Sequence, residues 1–192
     1  MVFTSPAFVC FFAIVFAGLW LLPTRTLRQV FILLASVYFY AYSQAWYLLV
    51  LAAPAFIDYW CAVHIERASD NRGRRPWLVL SLVTNLGLLA YFKYTNFFIA
   101  NVAALTRLPL QPLDIFLPVG ISFVTFKTLS YTIDVYRGHL HACRSLWRYA
   151  MFVAYFPDIV AGPIVRASVF LPQMVRSLRP SWDRAVVGAQ MI

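Results

Sequence analysis

An apolar stretch at residues 146–165 is interrupted twice, and these interruptions constrain the fold more than any other feature of the chain. The first is Phe156-Pro157-Asp158 and the second is Gly162-Pro163. Proline donates no backbone hydrogen bond, so carbonyl groups near it need other partners. In a bilayer, interrupted backbone is tolerated only where protein or a water-filled cavity surrounds it. The stretch therefore predicts a membrane protein with an enclosed internal feature, and not a simple anchor.

Composition supports a membrane location for the whole chain. Hydrophobic residues make up 62% of it and charged residues only 12%, whereas soluble domains contain roughly 25% charged residues. The formal net charge of +9 is carried by basic residues in short loops between apolar segments, which is typical of cytoplasmic loops. No basic stripe or recognition motif accompanies this charge, so we predict the lipid bilayer, and no nucleic acid, as a partner.

The apolar runs predict an all-α fold, a polytopic transmembrane helical protein with about five membrane segments. We place these segments at residues 7–22, 30–41, 46–65, 77–105 and 117–136. The polar notch Tyr42-Ser43-Gln44 separates the second from the third, and a single long tilted helix across residues 29–57 is the alternative. A polar loop is predicted at residues 66–76, with a glycine and Pro76 as helix breakers, and a Pro-rich connector at residues 107–118.

Basic residues predict the orientation, because cytoplasmic loops carry an excess of Lys and Arg. They follow the first, third and fifth segments, as Arg25, Arg28, Arg67, Arg72, Arg74, Arg75, Arg137, Arg144 and Arg148. The alternate loops hold no basic residue near Ser43, and near residue 110 they hold Arg107, which Asp114 offsets. We therefore expect the N-terminus outside and the basic loops in the cytoplasm.

The interrupted stretch conflicts with this orientation if it crosses the membrane. A crossing would place the basic residues that follow it outside, namely Arg166, Arg176, Arg179 and Arg184. A re-entrant element that enters from the cytoplasm and returns there removes the conflict and is our prediction; a tilted full crossing is the alternative. Asp158 lies in this element, either in a cavity wall or in a tight structural turn.

Three polar side chains in the fifth segment are candidates for an internal site. Lys127, Tyr131 and Asp134 are spaced i, i+4 and i+7, so they share one face of a helix. Lys127 and Asp134 lie about 10.5 Å apart along the axis and do not form a direct ion pair. Charges in the membrane are costly and face the interior. The face either makes interhelical hydrogen bonds that fix the packing or lines a pathway.

Other chemistry is not predicted within the chain. His139, His141 and Cys143 do not have the spacing of a zinc site, so no metal ligand is assigned. His64 lies at the end of the third segment, beside Glu66 and Arg67, and no other histidine falls in an apolar segment, so the sequence shows no buried histidine that could serve as a general base. Motifs for nucleotide binding or for an activated serine are missing from the sequence.

Several stretches, taken in order, resemble the membrane-bound O-acyltransferase family, and in particular its alginate O-acetyltransferase-like branch. They cover nearly the whole chain: Met1-Val2-Phe3-Thr4-Ser5, Leu33-Leu34-Ala35-Ser36-Val37-Tyr38-Phe39-Tyr40, Tyr91-Phe92-Lys93-Tyr94-Thr95-Asn96-Phe97, Leu117-Pro118-Val119-Gly120-Ile121-Ser122-Phe123-Val124-Thr125-Phe126, Ser130-Tyr131-Thr132-Ile133-Asp134-Val135-Tyr136-Arg137-Gly138, and Phe156-Pro157 with Ala161-Gly162-Pro163-Ile164-Val165-Arg166.

The resemblance implies a multi-pass enzyme of the bacterial inner membrane, and the orientation predicted from the basic loops then places its N-terminus in the periplasm. Such an enzyme passes an acetyl group from a cytoplasmic thioester, acetyl-CoA or another acyl thioester, toward an exported polysaccharide such as alginate. Periplasmic acetyltransferase partner proteins complete the transfer, and no bound cofactor is implied. The alternatives are D-alanyl transfer to teichoic acid by the sister branch, and a non-catalytic membrane scaffold or transporter segment.

The resemblance also implies that the chemistry lies elsewhere. The catalytic histidine of the family is expected in an apolar region beyond residue 192, so we assign no catalytic residue. Residues 1–192 are interpreted as the N-terminal part of one membrane domain, a truncated chain that is inactive alone. At the position of Asp158, members of the family often carry a different polar residue, such as His.

Overall fold

The computed structural model describes residues 5–42, 45–118, 120–161, 165–175 and Val186. All regular structure in these ranges is helical, which confirms the all-α class for this part of the chain. The helices are α1 (Pro6–Leu21), α2 (Arg25–Ala41), α3 (Tyr47–Arg67), α4 (Asn71–Leu89), α5 (Thr95–Thr106), α6 (Ile121–Tyr136), α7 (Leu146–Ala154), α8 (Phe156–Ala161) and α9 (Ala167–Val175), with a π-helical segment (Ala90–Tyr94) between α4 and α5.

The long uncharged run is divided into two helices, as the polar notch predicts. Helix α2 ends at Ala41 and α3 begins at Tyr47, so the alternative of one long tilted helix is wrong. Ser43 and Gln44 lie outside the described residues. Helices α1 and α2 approach closely at Gly18, where a Cβ atom would lie 2.5 Å from Cζ of Phe31. The glycine therefore makes room for the ring between the two helices.

The predicted polar loop at residues 66–76 is wrong, because most of it is helical. Helix α3 continues to Arg67 and α4 begins at Asn71. The side chain of Asp70 accepts a hydrogen bond of 3.0 Å from the backbone N–H of Gly73, and this N-cap satisfies one of the free donors at the start of the helix. Pro76 removes only one intrahelical bond, and α4 tolerates the loss.

Helix α4, the π-segment and α5 form one helical path, as predicted for this region. The path ends at Thr106, and the non-helical connector that follows agrees with the prediction for residues 107–118 as far as these are described. Asn96 ties the connector to α5, since its side chain donates to the carbonyl of Leu113 and accepts from the N–H of Leu113, both at 2.9 Å.

In the part of the chain that the structure describes, two helical stretches are long and apolar enough to cross a membrane, Leu48–Arg67 and Asn71–Thr106, and Pro6–Leu21 is apolar but shorter. Large apolar side chains on these helices face outward; Leu49 is 72% exposed and Leu105 85%. Contiguous apolar surface of this kind is unfavourable in water and marks a contact with lipid or protein. The structure therefore supports a membrane protein, and the number of five membrane segments stays a prediction.

The end of α6 sets the direction of the loop that leads to α7. Gly138 adopts a left-handed conformation with φ of 74°. Its N–H donates to the carbonyl of Val135 at 3.0 Å, and the N–H of His139 donates to that of Asp134 at 2.9 Å. This pair of bonds is the Schellman arrangement, in which glycine at this position ends a helix.

Candidate functional site

A buried ion pair joins two of the candidate residues that the sequence had placed in separate segments. Nζ of Lys127 on α6 lies 2.8 Å from Oδ2 of Asp158 on α8. The lysine side chain is 0% exposed and the aspartate side chain 12% exposed. A charge in such a place needs both a partner of opposite sign and hydrogen bonds. Each residue therefore accounts for the presence of the other in an apolar helix.

Aromatic rings surround the ammonium group on the sides that the carboxylate leaves open. Nζ of Lys127 lies 4.7 Å from the ring centroid of Phe152, 5.3 Å from that of Phe170 and 5.9 Å from that of Phe123. Rings at these distances attract a cation through their negative faces. Because Phe152 is on α7 and Phe170 on α9, the lysine connects α6 to all three elements of the interrupted region.

The predicted interruption is present, and protein encloses it. The chain leaves the helical conformation at Tyr155, with φ of −60° and ψ of 101°, between α7 and α8. The N–H of Phe156 then donates to Oγ of Ser36 at 3.3 Å, and its ring packs on Phe11 and Phe39 at centroid distances of 5.2 and 5.5 Å. The second predicted break, at Gly162-Pro163, lies outside the described residues.

The end of helix α9 contacts the N-terminal end of α2. The side chains of Arg25 and Gln29 both donate to the carbonyl of Met174, the glutamine at 3.0 Å. Phe156, by contrast, contacts Ser36 near the middle of α2. At ~1.5 Å per helical residue, the chain has moved back by about 10–16 Å along α2 between these two contacts.

The other two candidates on α6 have different surroundings. Tyr131 is fully buried, its hydroxyl accepts a hydrogen bond of 2.9 Å from the N–H of Cys143, and its ring lies 4.8 Å from that of Tyr149. Asp134 lies in the last turn of α6 and is only partly buried. The structure thus brings Lys127 to Asp158, whereas Tyr131 supports the loop after α6 and Asp134 marks the helix end.

A second buried polar cluster was missed at the sequence level. The carboxylate of Asp58 on α3 accepts from Oγ of Ser81 at 2.6 Å and from Nδ2 of Asn85 at 2.8 and 2.9 Å. Oγ1 of Thr128 on α6 donates to Oδ1 of Asn85 at 3.0 Å, and all four side chains are buried. The available signal was an aspartate within an apolar helix together with the i, i+4 spacing of Ser81 and Asn85.

The outward-facing apolar helices and these enclosed polar groups support a helical membrane protein with a structured polar interior. Comparison with known proteins supplies the relationship. The chain is 41% identical over 171 residues to the Pseudomonas aeruginosa protein named "Probable alginate O-acetylase AlgI", and 40% identical over 171 residues to the protein of that name from Azotobacter vinelandii. It is 31% identical over 202 residues to the "Peptidoglycan O-acetyltransferase" of Helicobacter pylori.

These similarities confirm the resemblance to the alginate O-acetyltransferase-like branch of the membrane-bound O-acyltransferases. They cover 86% of this chain for the first two relatives and 90% for the third. The chain spans about a third of the length of these curated relatives, at 33%, 34% and 38%. No family model matches the chain, and no solved structure matches it.

Proposed function

We propose that this chain is part of an O-acetyltransferase of the bacterial inner membrane. The enzyme moves an acetyl group from a cytoplasmic thioester donor, acetyl-CoA or another acyl thioester, for O-acetylation of an exported polysaccharide such as alginate. The 41% identity to an alginate O-acetylase over most of this chain carries the proposal. The names of the two kinds of relative both specify acetyl transfer, which favours acetyl over the D-alanyl group of the sister branch.

The contribution of this chain is to build the wall of a passage between the two sides of the membrane. A donor on one side and an acceptor on the other require such a passage, and polar groups in it must face protein or water. The ion pair of Lys127 and Asp158 supports this role, since the aspartate keeps 12% of its side-chain exposure while the lysine has none. The catalytic histidine of the proposed enzyme is expected beyond residue 192.

The proposed topology has five membrane segments, a periplasmic N-terminus and a re-entrant element at residues 146–165, which contains α7 and α8 and is followed by α9. The contacts of α2 support the re-entrant path, because Phe156 meets the middle of α2 and Met174 meets its N-terminal end. The loop that leads into α7 contacts the basic C-terminal end of α3, where Glu66 accepts from the N–H of Ala142 at 3.3 Å. These contacts support an element that enters and leaves on one side of the membrane.

Peptidoglycan is the second candidate acceptor, because the relative from Helicobacter pylori is named for it and aligns over 90% of this chain. In either case, periplasmic acetyltransferase partner proteins would complete the transfer to the polymer. The acceptor determines which polymer loses acetyl esters when the protein is missing.

Deletion of the gene in its native host tests the proposal. We expect the O-acetyl content of exported polysaccharide, measured by proton NMR, to fall and to return on complementation. A selective loss from peptidoglycan would assign the second acceptor. Unchanged acetyl content in both polymers, or a loss of D-alanine esters from teichoic acid in their place, would contradict acetyl transfer.

A further inference from the structure

A cavity of about 450 Å³ opens beside the C-terminal half of α3. Its lining residues come from α3 and from the loop between α6 and α7: Tyr59, Val63, Glu66, Arg67 and Arg144. Its volume falls within the range of roughly 300–1,000 Å³ that is common for small-molecule sites. None of these residues takes part in the interior clusters described above.

The charges of the cavity are unbalanced in favour of an anion. Oε1 of Glu66 accepts from Nδ1 of His141 at 2.8 Å and from the N–H of Ala142 at 3.3 Å, so its negative charge is directed to the loop. Arg67 and Arg144 are exposed and form no ion pair with any residue that the structure describes. Two guanidinium groups therefore line the cavity without an acidic partner of their own.

The position of the cavity suits a ligand with a polar head and an apolar part. Tyr59 and Val63 are partly buried and provide an apolar wall, and the bond from Tyr59 to the carbonyl of Arg144 holds the loop against α3. On the same helix, His64 stacks on Trp77 at a centroid distance of 4.2 Å. Aromatic side chains of this kind are enriched at the level of the lipid headgroups.

We propose that this cavity binds a phosphate group between Arg67 and Arg144. The planar guanidinium presents paired N–H donors that match two phosphate oxygens, which makes arginine the preferred residue for such recognition. The phosphate comes either from the headgroup of an anionic phospholipid or from a soluble phosphate-bearing thioester donor. The second source rests on the proposed function, whereas the first does not.

Binding to the purified chain in phosphatidylcholine nanodiscs tests the site. The probes are phosphatidylglycerol, counted by native mass spectrometry, and coenzyme A, titrated by calorimetry. The test variant is Arg67→Gln/Arg144→Gln. The matched control, Arg72→Gln/Arg75→Gln, removes the same charge from exposed positions on α4 outside the cavity. We expect the test variant to weaken binding by about tenfold or more, as the loss of a charged hydrogen bond implies, and the control to bind within about twofold of wild type.

Each outcome bears on the proposal. Retention of phosphatidylglycerol that only the test variant loses assigns a lipid headgroup, and the same pattern with coenzyme A assigns the soluble donor. Binding of neither probe, or equal loss in test and control variants, overturns the site. The acetyl content of exported polymers is measured in a separate experiment. A negative result for phosphate binding therefore does not contradict acetyl transfer, and a negative result for acetyl transfer does not contradict a lipid-binding site.

Discussion

Removal of the carboxylate of Asp158 should be the most damaging single change in the interrupted region. Asp158→Asn leaves the ammonium group of Lys127, which is 0% exposed, without a counter-charge. Breaking a buried ion pair in this way costs about 3–5 kcal/mol. For a chain of this size, 3 kcal/mol corresponds to roughly 6–12 °C in the midpoint of thermal unfolding.

A double-mutant cycle separates the pair from its surroundings. Lys127→Met should cost less than Asp158→Asn, because the remaining carboxylate keeps part of its exposure to solvent. The double variant Lys127→Met/Asp158→Asn should be less destabilised than the sum of the two single variants, with a coupling free energy of about 2 kcal/mol. The stability of the two single variants and of the double variant is measured by thermal unfolding in detergent, followed by circular dichroism. Asp114→Asn, on the exposed connector, is the control. Additive effects with a coupling near zero would refute the assignment of a buried pair.

Three further changes test other parts of the structure. Asp58→Leu leaves the side chains of Ser81 and Asn85 buried without their acceptor, so we expect a loss of about 3 kcal/mol in detergent unfolding; a change near zero would contradict the cluster. Gly138→Ala should lower the free energy of unfolding by about 1 kcal/mol through backbone strain alone, since no atom lies within 4 Å of the added Cβ. Burial raises the pKa of the Cys143 thiol, so less thiolate is present at pH 8 and its alkylation should be slower than that of a free thiol; an equal rate would show an open site.

Much of the helical framework was predictable from where the uncharged runs begin and end. The division between α2 and α3 followed from a polar notch, and the connector after α5 followed from its prolines. The prediction of a loop at residues 66–76 was wrong because it gave more weight to the polar composition than to the local helix-capping signal. Asp70 placed before Gly73 is a helix start signal, and the side-chain bond between them shows that the signal held.

The candidate site was predictable in its members and not in its pairing. Lys127 and Asp158 stood out because charges are rare in apolar segments, but their contact depends on how the interrupted region folds back. The spacing of polar residues within one helix cannot predict a contact between two separate helices. Asp58 was harder to recognise, because its partners are Ser, Asn and Thr, which occur in membrane helices for packing alone. Their joint role as hydrogen-bond partners is visible only in the folded structure, where α3, α4 and α6 meet.

The re-entrant element is tested most directly by measuring the side of the membrane from which a water-soluble reagent can label α9. In a background without Cys10, Cys61 and Cys143, single cysteines replace Ser168 on α9, His141 in the loop after α6, or Leu110 in the connector, all of them exposed positions. Intact cells are treated with a membrane-impermeant maleimide, before and after permeabilisation. We expect positions 168 and 141 to be labelled only after permeabilisation, and position 110 in intact cells. Labelling of position 168 in intact cells, from the same side as 110, would mean that the interrupted stretch crosses the membrane, and would contradict the re-entrant element.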